Sequence, residues 1–168
     1  AGGKKWENVQ PMFRTSPDGT DVALGHNGNL VNPVELRQEA VERGLGEFSG
    51  DDEAATSDTA VITALLADSV RDGKTVFESA RELLPRVKGA FCLTFTDGRT
   101  LYAARDPHGV RPLVLGRLER GWVVASETCA LDIVGAAFVR EIEPGELVAI
   151  DAGGVRTERF AETKHKGC

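Results

Sequence analysis

The sequence predicts an α+β domain with mostly antiparallel sheets, and three observations carry that prediction. Between residues 33 and 84 apolar side chains recur at helical spacing. From residue 91 onward the period drops to two, and Asp-Gly, Pro-Gly and Gly-Gly pairs separate the apolar runs. Helices gathered in the first half and hairpin-linked strands in the second lack the strand–helix alternation that builds parallel sheets. At 168 residues the chain suits one domain, large enough to bury roughly 70% of its unfolded surface.

Residues 6 to 20 hold Trp6-Glu7-Asn8-Val9-Gln10-Pro11-Met12-Phe13 and then the turn sequence Ser16-Pro17-Asp18-Gly19. A short strand over 21 to 25 delivers the chain to Gly25-His26-Asn27-Gly28-Asn29-Leu30-Val31-Asn32. Asn-Gly is the commonest two-residue hairpin signal, so one reading of Asn27-Gly28 is a plain tight turn. The other is that a backbone leaving a strand here presents amide donors and a side-chain amide at one point, where developing negative charge can be held. Asn32 and Pro33 mark a helix start, with Asn as cap, and Gly44 marks its stop. Ser57-Asp58-Thr59 opens a second helix over 60 to 67, apolar all round and therefore buried. A third helix spans 76 to 84 and ends at Pro85. Phe91, Leu93 and Phe95 alternate with Cys92 and Thr94, and Asp97-Gly98 turns the chain into Leu101-Tyr102-Ala103-Ala104 as a hairpin. Strands follow at 113–117, 122–126, 146–150 and 155–160, with a short helix at 128–134.

Hydrophobic residues at 41% and charged residues at 27% are ordinary for a globular chain. The formal net charge is -6, and no basic stripe interleaves with aromatic residues, so no nucleic-acid partner is expected. The carboxylates gather between Glu35 and Glu53, a pattern that reads as a solvated helix face and loop. Without a secretory signal or an apolar run of membrane length, the expectation is a cytoplasmic protein with no membrane partner. The 3 cysteines, Cys92, Cys129 and Cys168, form an odd set without short metal-ligand spacing, which argues against a disulfide framework or a self-contained zinc site. Cys92 lies in an apolar strand pattern and reads as a small core residue. The chain opens Ala1-Gly2-Gly3-Lys4-Lys5, and its only methionine is Met12, so both ends read as cuts in a longer polypeptide. Strands lost from the amino-terminal side would leave sheet edges unpaired, and such edges invite aggregation.

Four motifs then occur in order: His26-Asn27-Gly28-Asn29-Leu30, Ser57-Asp58-Thr59, the run from Ala104 through Arg105-Asp106-Pro107-His108-Gly109-Val110-Arg111-Pro112 to Leu113, and Ser126-Glu127-Thr128-Cys129-Ala130-Leu131-Asp132. Together they resemble the glutaminase domain of the class II glutamine amidotransferases, over essentially the whole chain. Trp6-Glu7-Asn8-Val9-Gln10-Pro11 and Lys166-Gly167-Cys168 lean toward the branch that passes ammonia to phosphoribosyl pyrophosphate in purine synthesis. The alternatives are the branches that make glucosamine phosphate, glutamate or asparagine, and a binding domain that has lost its nucleophile.

The resemblance implies an N-terminal-nucleophile hydrolase fold, an αββα sandwich of mainly antiparallel sheets, here incomplete at its amino-terminal side. It implies a glutaminase domain over 1–160, truncated at its start, and over 161–168 the beginning of a connection to a phosphoribosyltransferase domain. Its chemistry needs a thiol from an amino-terminal cysteine, whose own α-amine takes the proton. The oxyanion hole falls to the Asn27 side-chain amide and the Gly28 N–H, and the substrate's α-amino group to Asp58. From the residues alone, Asp58 is equally a helix-start residue beside Ser57. Ala1-Gly2 matches the tail of the family motif whose arginine binds the substrate carboxylate, but that arginine and the cysteine are absent. No glutamine hydrolysis is therefore expected of the 168-residue chain by itself. His26 and His108 are expected to be structural. Cys168 resembles one ligand of a 4Fe-4S cluster that some members carry, or is an ordinary boundary cysteine. Magnesium is expected only with the phosphoribosyltransferase domain, and the full-length protein is expected to form a homo-oligomer.

Overall fold

Phe91, Leu93 and Phe95 turn one way along their strand and Cys92 turns the other, and that alternation divides the interior into two cores. The computed structural model describes residues 9–46, 57–71 and 73–163. Its strands are β1 (Met12–Thr15), β2 (Asp21–Leu30), β3 (Gly89–Thr96), β4 (Leu101–Arg105), β5 (Val114–Leu118), β6 (Gly121–Ala125), β7 (Ala137–Glu141), β8 (Glu146–Asp151) and β9 (Gly154–Arg159). Its helices are α1 (Pro33–Glu42), α2 (Asp58–Ser69), α3 (Val76–Leu83) and α4 (Thr128–Val134). A 6-stranded sheet runs β1-β2-β3-β4-β8-β9 and a 3-stranded sheet runs β6-β5-β7. All the pairings in both are antiparallel.

On one face of the large sheet, Leu24, Phe91, Phe95, Tyr102 and Leu147 meet Leu36, Ile62 and Leu65 of the helices. On the other face Cys92, Ala103, Val148 and Ile150 meet Leu113, Leu115 and Ile142 of the small-sheet layer. Beneath the small sheet, Leu131 of α4 packs with Val114 and Ala136. The layers are thus α1–α3, large sheet, small sheet and α4. The four-layer sandwich expected from the resemblance is what the chain adopts.

Several elements form for the reasons their residues suggest. Gly44 ends α1 with φ +72°, donating its N–H to Val41 O, while Leu45 N–H reaches Ala40 O. Helix α2 is buried along most of its length, as an all-round apolar helix must be. Helix α3 stops at Leu83, and Pro85 continues as a single 3-10 turn over Leu84–Arg86. Its start carries a capping box between Thr75 and Glu78.

Three expectations need correction. The strand expected over 21–25 runs through Leu30, so Asn27-Gly28 is not a turn: Asn27 pairs with Cys92 and Gly28 with Phe91 in the β2–β3 ladder. The apolar residues Leu24 and Leu30 lie six apart on one face, and that face continues unbroken across the polar motif. Asn32 occupies the cap position of α1 without capping it. Its amide instead donates to Arg86 O (3.0 Å) and accepts Lys88 N–H (3.0 Å), tying the helix start to the entry of β3. Strands β1 and β7 escaped the sequence reading, because both are edge strands with mostly exposed side chains and little apolar alternation. Among the described residues no helix is long and apolar enough to cross a membrane.

Candidate active site

Antiparallel pairing presents backbone donors alternately to the two sides of a strand. In β2 the ladder toward β3 continues at its end as Val31 N–H to Lys88 O, so the odd-numbered residues exchange bonds with β3. The even-numbered residues therefore aim their N–H groups at the opposite edge. Along that edge β1 pairs with β2 only as far as Leu24. Beyond it, two N–H groups are taken by side chains: His26 N–H donates to Gln10 Oε1 (2.6 Å) and Leu30 N–H to Asp58 Oδ2 (3.1 Å). Gly28 N–H lies between them on the same edge, with no side-chain acceptor among the described residues. Among the described residues, the motif thus presents its backbone donor from an open strand edge.

Gly28 is held to glycine by contact. A Cβ there would lie 2.0 Å from Ala90 O and 2.9 Å from His26 Nε2. Asn27 takes the opposite parity, and its Nδ2 donates to Ser126 Oγ (3.4 Å), just past the end of β6. Between them lies a cavity of about 240 Å³ lined by Gln10, Asn27, Cys92, Thr94, Val124 and Ser126 among others. It adjoins a second, more apolar trough over Ala23, Gly25, Thr94 and Thr96 of the large sheet, the two sharing Gln10, Gly25 and Thr94.

Asp58 is the first residue of α2, and Ser57 is the cap, its Oγ accepting Ala60 N–H. The helix N-terminus favours a carboxylate at this place. One Asp58 oxygen accepts Leu30 N–H, and among the described residues the other has no hydrogen-bond donor. The helix-start reading of this segment therefore holds, with Ser57 as the cap and Asp58 one residue inside it.

The remaining candidates resolve into supporting roles. His26 Nε2 is buried without a hydrogen-bond partner among the described residues. Burial lowers its pKa against the opposing pull of the Asp58 carboxylate, so the imidazole is neutral near pH 7. His108 N–H donates to the buried Asp106 Oδ1 (2.8 Å), a local turn bond. Asp106 also accepts Phe91 N–H (3.3 Å), and the buried Arg105 donates to Gly109 O, Arg111 O and Ile142 O, so this motif locks the crossing between the sheets. Cys92 lines the cavity, but burial pushes its thiol up to about 11, which keeps it protonated and suits a packing role. Cys129 is exposed on α4. Cys168 lies outside the described residues. Among the described residues no group of three or more His, Cys, Asp or Glu side chains suits a metal ion. The sequence reading overlooked Gln10 and Ser126 as site residues. Both sit inside motifs it had singled out, yet their partners lie 16 and 99 residues away.

Known proteins match the chain in sequence and in fold. A family profile described as "Glutamine amidotransferase domain" matches residues 4–132. The amidophosphoribosyltransferase of Mycobacterium tuberculosis is 60% identical over 167 residues, covering 99% of this chain and 31% of the relative. That of Bacillus subtilis is 40% identical over 96% of this chain and 32% of the relative. The chain thus spans about a third of these relatives' length. The solved structure of the B. subtilis glutamine phosphoribosylpyrophosphate amidotransferase, complexed with ADP and GMP, superposes with a TM-score of 0.82 at 38% identity, covering 95% of this chain and 33% of that one. A class II domain protein from Silicibacter pomeroyi, at 23% identity and a TM-score of 0.54, shares the fold.

Proposed function

Because the chain belongs to the glutamine amidotransferase domain family, we propose that it supplies the oxyanion hole and amino-group anchor of a glutaminase site in an amidophosphoribosyltransferase. The observation that carries this is the open edge of β2, with Gly28 N–H bracketed by the bonds to Gln10 and Asp58 and the Asn27 amide beside it.

A thiolate, from a cysteine at the start of the mature polypeptide ahead of Ala1, attacks the carboxamide carbon of glutamine. The carbonyl π pair moves onto oxygen, where Gly28 N–H and the Asn27 amide receive the charge. Collapse breaks the C–N bond and releases ammonia, which carries off the thiol proton relayed by the terminal amine. Water then cleaves the thioester to give glutamate. The second Asp58 oxygen holds the α-ammonium group throughout. The trough over Ala23, Gly25 and Thr94 has a floor of small side chains, which suits the approach of the segment that brings the thiol. In the whole enzyme the ammonia displaces pyrophosphate from phosphoribosyl pyrophosphate in a further domain, giving phosphoribosylamine for purine synthesis. Magnesium belongs with that domain, and the whole enzyme works as a cytoplasmic homo-oligomer. The described residues do not fit magnesium or a 4Fe-4S cluster, and no step above runs through either.

The test compares two proteins: the gene product from its own amino terminus, and the 168-residue chain. The first should release ammonia from glutamine and the second should stay at the no-enzyme blank. Ammonia release by the short chain, or none by the long one, overturns the reading.

A further inference from the structure

We infer that Gln10 is a positioning residue for this site, closing a hydrogen-bonded frame that fixes the Gly28 N–H relative to Asp58. The inference rests on the amidotransferase reading above. One end of the Gln10 amide, Oε1, accepts His26 N–H at 2.6 Å. The other end, Nε2, donates to Thr59 Oγ1 at 3.1 Å, and Thr59 is buried in the first turn of α2. The next residue back, Asp58, returns to the strand through Leu30 N–H at 3.1 Å. The circuit therefore runs from β2 through Gln10 to α2 and back through Asp58 to β2, with Gly28 at its open centre.

The circuit ties together two elements that must hold the two ends of one substrate. In the proposed reaction the carboxamide oxygen sits at Gly28 and Asn27, and the α-ammonium group sits at Asp58. Rotating or sliding α2 against the strand would stretch that span, and Gln10 bonds both across the gap. Beyond Leu24 no strand pairs with this edge among the described residues, so the task falls to side chains. A primary amide suits it, having one oxygen to accept a backbone N–H and one nitrogen to donate to a hydroxyl. Glutamate keeps the acceptor for His26 and can receive the Thr59 hydroxyl in place of donating to it. Leucine keeps only the bulk.

The experiment uses the gene product from its own amino terminus, with glutamine-dependent and free-ammonia-dependent synthesis measured side by side. Gln10→Leu should lower kcat/KM for glutamine by about 100-fold, the scale of an ångström-sized misplacement, with both kcat and KM affected. The ammonia-dependent rate, which bypasses the glutamine site, should hold, and Gln10→Glu should recover most of the loss. Asp58→Asn should cost less in the Gln10→Leu background than in the wild type, because the two act on one span. An unchanged kcat/KM in Gln10→Leu, an equal fall in the ammonia-dependent rate, or strictly additive losses would each overturn the positioning role. A wild-type protein that makes product from ammonia but never hydrolyses glutamine overturns the amidotransferase reading, and this role with it.

Discussion

Gly28 shows how much one missing side chain decides. With a Cβ 2.0 Å from Ala90 O, the β2–β3 ladder must open or Gly28 must shift along it. Gly28→Ala is therefore expected to be destabilising as well as inactive, and circular dichroism melts beside glutaminase assays would show both losses. A wild-type melting temperature in Gly28→Ala would contradict the contact. His26 carries a separate prediction. Its folded pKa lies below the ordinary 6.5, so below that pH the unfolded chain gains the proton more readily than the folded one. The stability it contributes is present above about pH 6.5 and is lost as pH falls. His26→Gln should therefore flatten the decline of melting temperature between about pH 6.5 and 5. An unaltered slope would mean that His26 titrates alike in both states. At this scale the sequence was most legible where chemistry is local. Gly28, Asn27 and Asp58 stand out by residue type and motif, whereas Gln10 and Ser126 act through partners far along the chain.

At the scale of elements, periodicity did most of the work. The two-residue period of β3 correctly separates Phe91, Leu93 and Phe95 from Cys92, and the structure sends them to different cores. Phe91 is fully buried and stacks loosely with Phe160, so Phe91→Ala should cost about 3–5 kcal/mol in chemical denaturation. A cost under about 1 kcal/mol would mean that the helix-side core repacks freely. The error at Asn27-Gly28 has an instructive cause. Asn-Gly signals a turn when both residues sit at a strand end, but here the β3 partners Phe91 and Cys92 extend the ladder past it. Local turn chemistry lost to a long-range register that one sequence does not print. The same holds for β7, whose Ala137, Phe138 and Val139 are all exposed and so give no inward–outward alternation to read.

For the whole molecule, the order of helices and hairpins sufficed for the α+β class, and the motif resemblance for the four layers. What neither conveyed is how unevenly the layers match. A 3-stranded sheet faces a 6-stranded one, leaving β6 and β7 as edges of the small sheet. Ile133, Val134, Phe138 and Val139 are exposed together on α4 and β7. An edge strand with apolar residues is a template for pairing with another chain. The 168-residue chain should therefore self-associate as its concentration rises, and Val139→Lys should reduce this in size-exclusion chromatography. A sharp monomer peak at high concentration would contradict it. The central claim, though, is that the open edge of β2 stabilises an oxyanion. The most direct measurement is kcat for glutamine hydrolysis by Asn27→Ala in the gene product from its own amino terminus. The account predicts a fall of about 10²–10³, or roughly 2.7–4 kcal/mol of transition-state stabilisation, with KM little changed. A kcat within about twofold of wild type would contradict it.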